Sequence, residues 1–512
     1  MQINVTEYLE NGALARCPDK VAVIDGEKTY SFVQLADAAK RCARDIIALK
    51  DVIRRPIAVF LPKGAATVIA DLGIIYSGNC YMNLDVKSPL PRVKSIIDHV
   101  GPEVVITTRT LSDTVAGLGV APERVLLIED VPLEAESGAE ARLDARRAGI
   151  IDTDPLCIIN TSGSTGVPKS VVMNHRNVID FMDWVMDELR LDGSEIIGSL
   201  SPFYFDIYTL ELWLSLAKGA TIVIIPDQLS TFPVKLLEYL AQTGVTFIFW
   251  VPTIMVNISN LNLLDKVDVT GLRKILFAGE VFPMKHLNYW RRHLPKAEFV
   301  NLYGPIEITV DCTYYVVDRQ FRDDEPLPIG FPRRNMDVLV LNERNEPCKL
   351  GEPGELCVRG SSLALGYWND PVRTAQAFVQ SPLNAHFPEL IYRTGDLVYR
   401  NEQGELMFTG RKDYQIKHLG YRIELGEIEH AVLRVEGVNN ACVLYDKEKK
   451  AISLFYQTQR ELTPGSIRQS LAASLPKYML PTAFHRLDEL PMNPNGKIDR
   501  LKLARDFLVL KP

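Results

Sequence analysis

The stretch NTSGSTGVPKSV, residues 160–171, looks like a phosphate-holding loop that ends in a lysine and a serine. A nucleoside-triphosphatase P-loop has the spacing G-x-x-x-x-G-K-[ST], with glycine directly before the lysine. Here Pro168 stands in that place, and the glycines at 163 and 166 fall at offsets that no P-loop uses. The hydroxyls and unobstructed backbone N–H groups of the run still suit an anion-binding concavity, to which Lys169 adds a mobile cation. A short Gly/Ser surface loop has the same composition, so the chemistry has to be decided by what surrounds it.

Around the loop, short runs rich in β-branched and aromatic residues recur: RPIAVFL, EVVITT, RVLLIED, ATIVIIPD, VTFIFWV, KILFAGE and AEFVNLYG. Helix-like patterns such as PLPRVKSIIDHV and FPVKLLEYLAQTG lie between several of them. Strand–helix alternation at this spacing predicts parallel sheets covered by helices, hence an α/β fold. The runs are short and bounded by Gly, Pro or Asp, which argues against buried helices. From about Asn335 the texture changes to DVLVLNERNEPCKLGEPGELCVRG, strands joined by polar turns and so a small β-rich subdomain. After Gly410, LGEIEHAVLRV and PGSIRQSLAASLP read as amphipathic helices and NNACVLYDKEKKAISLFYQT as a hairpin. These predict a compact α+β domain of about 100 residues at the C-terminal end.

The chain has 512 residues, 47% hydrophobic and 24% charged, enough for more than one core. About 150 residues per domain predicts about three domains or subdomains. A formal net charge of −7 and the absence of a basic stripe argue against a nucleic-acid binder. The eight cysteines are scattered with no C-x-x-C, which suggests neither a disulfide framework nor a zinc site and makes a reducing cytosol the simplest compartment. The first residues carry acidic side chains and no apolar core, so no signal peptide is expected. The longest apolar stretch, GVTFIFWVPTIMV, is too short to span a bilayer and is broken by Pro252, so no membrane segment is expected either. A cytoplasmic protein is the expectation.

Further constellations stand in order along the chain. YRTGDLV, residues 392–398, places the Asp396 carboxylate after a Thr-Gly turn, suited to accept two ribose hydroxyls. NLYGPIEITV, residues 301–310, offers an amide at Asn301, an aromatic face at Tyr303 and a carboxylate at Glu307, able to recognise adenine and to hold Mg²⁺ through oxygen. PNGKIDR presents Lys497 on an Asn-Gly turn. Singly, each reads as an ordinary turn.

Together they resemble the ANL superfamily of adenylate-forming enzymes and, within it, the amino-acid adenylation domains of nonribosomal peptide synthesis. Ten segments match that family's ordered core motifs: YSFVQL, YSGNCYMNLD, TSGSTGVPKS, FDIYTLELW, NLYGPIE, GELCVRG, YRTGDL, GRKDYQIKHLGYRIELGEIE, LPKYMLP and NGKIDR. The resemblance covers nearly the whole chain. It implies an adenylation core over residues 1–411, made of two helix-covered sheet subdomains plus a β-rich subdomain at about 335–411. It also implies a small mobile C-terminal domain over residues 412–512. The implied reaction is attack of a carboxylate on the α-phosphorus of Mg·ATP with loss of pyrophosphate, then transfer of the acyl group to a phosphopantetheine thiol.

Residue by residue, the resemblance places Thr161, Ser162, Gly163, Ser164, Thr165, Gly166 and Lys169 at the phosphates. Asn301, Tyr303, Gly304, Asp396 and Arg411 fall at the nucleoside, and Glu307 at Mg²⁺. Lys497 would bridge the substrate carboxylate and the nucleotide, stabilising charge where it develops; it, Glu307 and Thr161 are the implied catalytic set. Asp413 matches the hinge about which KHLGYR swings toward the site. Two positions depart from the family pattern. Ser170 replaces a glycine just after the phosphate contacts end, and Ile306 replaces a threonine whose hydroxyl is expected at the α-phosphate. A lost hydrogen bond to a charged group costs about 1.5–3 kcal/mol, so Thr309 or a backbone N–H is expected to compensate.

Asp206 in FYFDIY matches the aspartate that pairs with the α-ammonium of an amino acid; acyl- and aryl-CoA ligases generally lack it. A capping role on the following helix is its structural alternative. The implied substrate pocket is Asp206, Ile207, Leu210, Phe249, Leu276, Ala278, Leu302, Val310 and Asp311, closed by Lys497. Apart from its polar ends and Asp311 it is apolar and narrow, suited to a small uncharged side chain, and it looks most like that of stand-alone L-prolyl–carrier-protein ligases. Asp311 is the misfit: either it pairs with a basic substrate or it sits at the rim. D- or L-alanine, glycine or a basic amino acid, or an acyl- or aryl-CoA ligase reaction, are the alternatives. With no Gly-Gly-x-Ser segment after NGKIDR, a free-standing ligase loading a separate carrier protein is the expectation.

Overall fold

The computed structural model describes residues 2–130, 139–163, 168–492 and 498–508. The chain folds as two compact units. The first is Met1–Val86, Val100–Ile159 and Ser170–Lys412; the second is Lys87–His99, Asn160–Lys169 and Asp413–Pro512.

The first unit is built on three sheets. A nine-stranded sheet runs in the order Phe331–Pro332, Thr313–Val316, Glu298–Tyr303, Lys274–Ala278, Phe247–Trp250, Ile196–Ser199, Thr221–Ile224, Val21–Asp25 and Lys28–Ser31. Its centre is parallel and its margins antiparallel. The central strands are continuous apolar runs such as FIFW and KILFA because helices cover both faces and leave no wet side. A seven-stranded sheet has the order Gly366–Tyr367, Lys169–Asn174, Pro155–Thr161, Cys80–Asn83, Pro56–Phe60, Val104–Thr107 and Val125–Leu127. One large hydrophobic cluster, with Trp213, Phe181, Phe249 and Ile57 among its members, packs the helices Phe32–Leu49, Ala65–Tyr76, His175–Glu188 and Ile207–Lys218 against the sheets. A smaller antiparallel sheet joins Met336–Leu341, Gly354–Gly360, Phe378–Gln380, Leu390–Arg400 and Leu406–Arg411.

In the second unit a hairpin, Gln415–His418 with Tyr421–Glu424, precedes the helix Leu425–Leu433. A three-stranded sheet, Val438–Asp446, Ala451–Thr458 and Ala483–Arg486, packs against that helix and against Pro464–Ala472 through Ile428, Val432, Ile467 and Leu471. The α/β organisation, the β-rich segment and the C-terminal α+β texture are those expected from the sequence. Every apolar run quoted from the first unit contains a strand. The strand Lys169–Asn174 is hidden in the sequence behind the glycine-rich loop, whose composition masks the β-branched run that follows.

Candidate functional site

The strand Pro155–Thr161 leads into the loop that begins at Asn160, and the loop belongs to the second unit. Three of its described donors are engaged by carboxyl oxygens or by a carbonyl. The Gly163 N–H donates to Glu427 Oε2 at 3.2 Å, and Lys169 Nζ donates to Glu424 Oε1 at 2.7 Å. Ser162 Oγ donates to the Arg422 carbonyl at 2.6 Å and accepts from the Glu424 N–H at 3.1 Å. Glu427 also pairs with Arg92, yet its burial pushes its pKa up despite that cation. Thr161 Oγ1 is buried with no hydrogen-bond partner among the described residues. This donor set suits a multiply charged oxyanion. Ser164, Thr165 and Gly166 lie outside the described residues, as does Lys497.

In the first unit the strand Glu298–Tyr303 and the two strands Leu390–Arg400 and Leu406–Arg411 bring Tyr303, Asp396 and Arg411 together. The Tyr303 hydroxyl donates to Asp396 Oδ2, and Arg411 Nη1 donates to Asp396 Oδ1. Burial and the neighbouring Asp396 charge hold the Tyr303 phenol well above its ordinary pKa, so it stays a donor. Asn301 is only 7% exposed, and its amide donates to the Pro328 carbonyl at 2.7 Å. That bond ties down a chain segment and takes no part of the amide oxygen.

Glu307 is fully buried in the short 3₁₀ turn Ile306–Ile308 and accepts from the Tyr367 hydroxyl at 2.9 Å. Among the described residues no three His, Cys, Asp or Glu side chains cluster as a metal site. A single carboxylate is nonetheless what Mg²⁺ takes when phosphate oxygens and water fill its other positions, and Glu307 fits that role. Gly304 is needed beside this turn: a Cβ there would lie 2.5 Å from the Asp311 Cα and 2.7 Å from the Val310 carbonyl oxygen.

Thr309 does not replace the hydroxyl missing at Ile306. It lies in the left-handed region (φ 60°), and its hydroxyl donates to the Ser362 carbonyl at 2.9 Å. Buried and spent on the backbone, that proton cannot also serve a phosphate.

The implied substrate pocket is one packed region. Ile207, Leu210, Phe249, Leu276, Ala278, Leu302 and Val310 are all buried members of the large cluster. Phe249 pairs in register with Leu276, and Ala278 with Leu302, on adjacent parallel strands. Asp206 occupies the N-cap position of Ile207–Lys218, but its carboxylate makes no capping hydrogen bond, which removes the capping alternative. Asp311 is 1% exposed, so the expectation that it sits at a rim is wrong: the strand that follows carries it into the interior. Its carbonyl accepts from Arg333 Nε at 3.0 Å, and that guanidinium is itself buried against Asp180 and Ser362. Nothing in the sequence marks Arg333, because RR reads there as a surface pair. Two open surface clefts, one beside Asn335 and Arg359 and the other beside Ser230 and Leu261, share none of these residues.

A family model described as AMP-binding enzyme matches residues 10–368, and one described as AMP-binding enzyme C-terminal domain matches residues 427–497. Tyrocidine synthase 1 of Brevibacillus parabrevis is 31% identical over 96% of this chain but only 44% of its own length. The chain thus spans under half of that relative. Zwittermicin A synthase ZmaJ of Bacillus cereus is 30% identical, over 96% of this chain and 93% of its own length. The solved Vibrio cholerae adenylation domain AlmE, in complex with glycyl-adenosine-5'-phosphate, superposes with a TM-score of 0.84 at 22% identity, covering 99% of this chain and 98% of its own. At that identity it shows the fold alone. Among the described residues no helix is long and apolar enough to cross a membrane.

Proposed function

Because the chain belongs to the AMP-binding enzyme family, the adenylate-forming ANL superfamily, we propose that it activates a small amino acid with ATP and passes the acyl group to the phosphopantetheine thiol of a carrier protein. L-Proline is the best-fitting substrate. In the first step a carboxylate oxygen of the amino acid bonds to the α-phosphorus and the bond to pyrophosphate breaks, leaving aminoacyl-AMP. In the second the thiol sulfur attacks the acyl carbon, AMP leaves, and a thioester remains.

The observation that carries the reading is the position of Asp206: a carboxylate directly before Ile207 and Leu210, which belong to the same apolar cluster as Phe249, Leu276, Ala278, Leu302 and Val310. A carboxylate beside an apolar wall suits an amino acid, whose α-ammonium it can bind while the side chain meets the wall. The loop with Thr161, Ser162, Gly163 and Lys169 holds the departing pyrophosphate. Asp396, with Tyr303 and Arg411 upon it, takes the ribose. Mg²⁺ supplies charge neutralisation at the phosphates when bound, and Glu307 is its protein ligand. Lys497 orients the attacking carboxylate. Ile207, Leu210, Phe249, Leu276, Ala278, Leu302 and Val310 limit side-chain size, and buried Asp311 leaves ornithine as the competing substrate.

The test is ATP–pyrophosphate exchange across a full amino-acid panel, with Lys497→Ala and Asp311→Ala alongside. The expected result is exchange with L-proline, lost in Lys497→Ala and retained in Asp311→Ala. Exchange with aryl or fatty acids and with no amino acid assigns an acyl-CoA ligase instead, and loss of exchange in Asp311→Ala with ornithine as best substrate moves the pocket to basic amino acids.

A further inference from the structure

Behind the head of the pocket the structure holds a buried polar group that the reaction does not use. Asp71, in the helix Ala65–Tyr76, is fully buried, and Asn83 ends the strand Cys80–Asn83 beside it at 7% exposure. The Asn83 side-chain amide donates twice: to Asp71 Oδ2 at 3.0 Å and to the Phe203 carbonyl at 3.2 Å. Phe203 lies in the turn that leads to Asp206, and its ring stacks on that of Tyr208 with centroids 4.1 Å apart and planes 17° from parallel. Tyr208 is in the first turn after Asp206. The backbone before Asp206 is thereby tied to this polar centre through the Phe203 carbonyl, and the Phe203 ring packs on the Tyr208 ring that follows it.

We propose that Asn83, anchored by Asp71, is a positioning residue for the ammonium site: it holds the turn at residues 201–206 so that the Asp206 carboxylate meets the α-ammonium of the amino acid. The inference rests on the reading of Asp206 given above. Two features of the geometry favour a positioning role over simple filling, and the charge state of Asp71 agrees with them. A buried amide spending both protons on two different segments is a tether, since each bond fixes a separate piece of chain. The segment it holds carries no regular secondary structure before the helix Ile207–Lys218, so no ladder of backbone bonds fixes its register. The tether also adds no competing charge: burial raises the Asp71 pKa from 3.8 to about 8, so its carboxyl is neutral at pH 7 and Asp206 remains the charge presented to the substrate.

The experiment is steady-state ATP–pyrophosphate exchange on the full chain with L-proline, glycine, L-alanine, D-alanine and L-ornithine. Wild type is compared with Asn83→Leu, Asp71→Asn, the double variant Asp71→Ala/Asn83→Leu, and Asp206→Ala. Leucine keeps the branching of asparagine, and alanine beside it removes the carboxyl that would otherwise be stranded, so the double variant is expected to melt close to wild type. The expected result is a KM for the best amino acid raised about tenfold in Asn83→Leu and in the double variant, with KM for ATP within about twofold. Asp71→Asn, which keeps an acceptor for Asn83, holds KM within about threefold. An unchanged amino-acid KM in the double variant, or a KM for ATP that rises in step, overturns the positioning role. If Asp206→Ala abolishes exchange while the Asn83 variants do not move KM, this inference alone falls. If Asp206→Ala leaves the amino-acid KM unchanged, or no amino acid exchanges with wild type, the ammonium-site reading falls and takes the inference with it.

Discussion

Glu211 and Asp71 are both fully buried in helices of the first unit, and burial raises each carboxyl to a pKa of about 8. Glu211 accepts from the Ser199 hydroxyl, which is not enough to offset its desolvation. On unfolding, both groups return to ordinary carboxylate values, 4.5 and 3.8. In the window from those values up to about 8 the native chain keeps protons that the unfolded chain has released. The stabilisation is therefore fully present below the unfolded pKa and is lost as pH rises, by about 1.4 kcal/mol per pH unit for each group. Glu211→Gln keeps the shape and removes the titration. Its melting temperature should gain on wild type at pH 8 and show little gain at pH 5, read by thermal unfolding at the two pH values. Equal shifts at both would contradict the sign. Asp206 was legible in the sequence because it belongs to a recognisable segment. Asp71 and Asn83 were not, because a carboxylate in ADLGIIY and an amide in CYMNLD acquire meaning only when a helix and a strand set them 3.0 Å apart.

Among the elements, the segment that follows the turn Ile306–Ile308 depends on an unfavourable backbone. Thr309 and Val310, both β-branched, have φ of 60° and 66°, where such residues are rarely found. The surroundings hold them there. Thr309 is bonded to Ser362, and Arg333 is bonded to the Asp311 carbonyl, Asp180 and Ser362, with Phe181 and Trp184 rings near its guanidinium. Arg333→Met should cost about 3 kcal/mol of stability, because it strands the buried partners of a charge rather than replacing the whole group. The measurement is urea unfolding followed by tryptophan fluorescence, and a loss within experimental error would show the cluster to be dispensable. The parallel strands were legible since each is a short apolar run closed by Gly, Pro or Asp. The left-handed pair was not, because GPIEITVD contains no glycine where the backbone turns.

At the level of the whole molecule, the second compact unit is assembled from three separate stretches, Lys87–His99, Asn160–Lys169 and Asp413–Pro512. The change of texture after Gly410 made the last of these visible. Nothing in the sequence marks the other two as its companions, since they owe that membership to pairs such as Arg92 with Glu427 and Lys169 with Glu424. If Asp413 is the hinge, Asp413→Pro fixes a backbone torsion that a swing must change. Exchange should then persist while loading of a phosphopantetheinylated carrier protein falls about tenfold or more. Loss of both activities together would point to misfolding, and loss of neither would remove Asp413 from that role.

Glu424 and Glu427 have a consequence of their own. The loop donors that the proposed reaction assigns to a triphosphate are held by carboxyl groups of the same chain, with Lys169 on Glu424 and the Gly163 N–H on Glu427. An anion tethered in this way acts at an effective concentration set by the fold rather than by the cell, and a nucleotide must outcompete it. Glu427→Gln weakens the internal competitor without removing its shape, so the apparent KM for ATP should drop several-fold while kcat for exchange stays level. Added free pyrophosphate should then inhibit the variant at lower concentration than wild type. In that case the nucleotide affinity of this chain is a difference between two bound anions, with one of them always present.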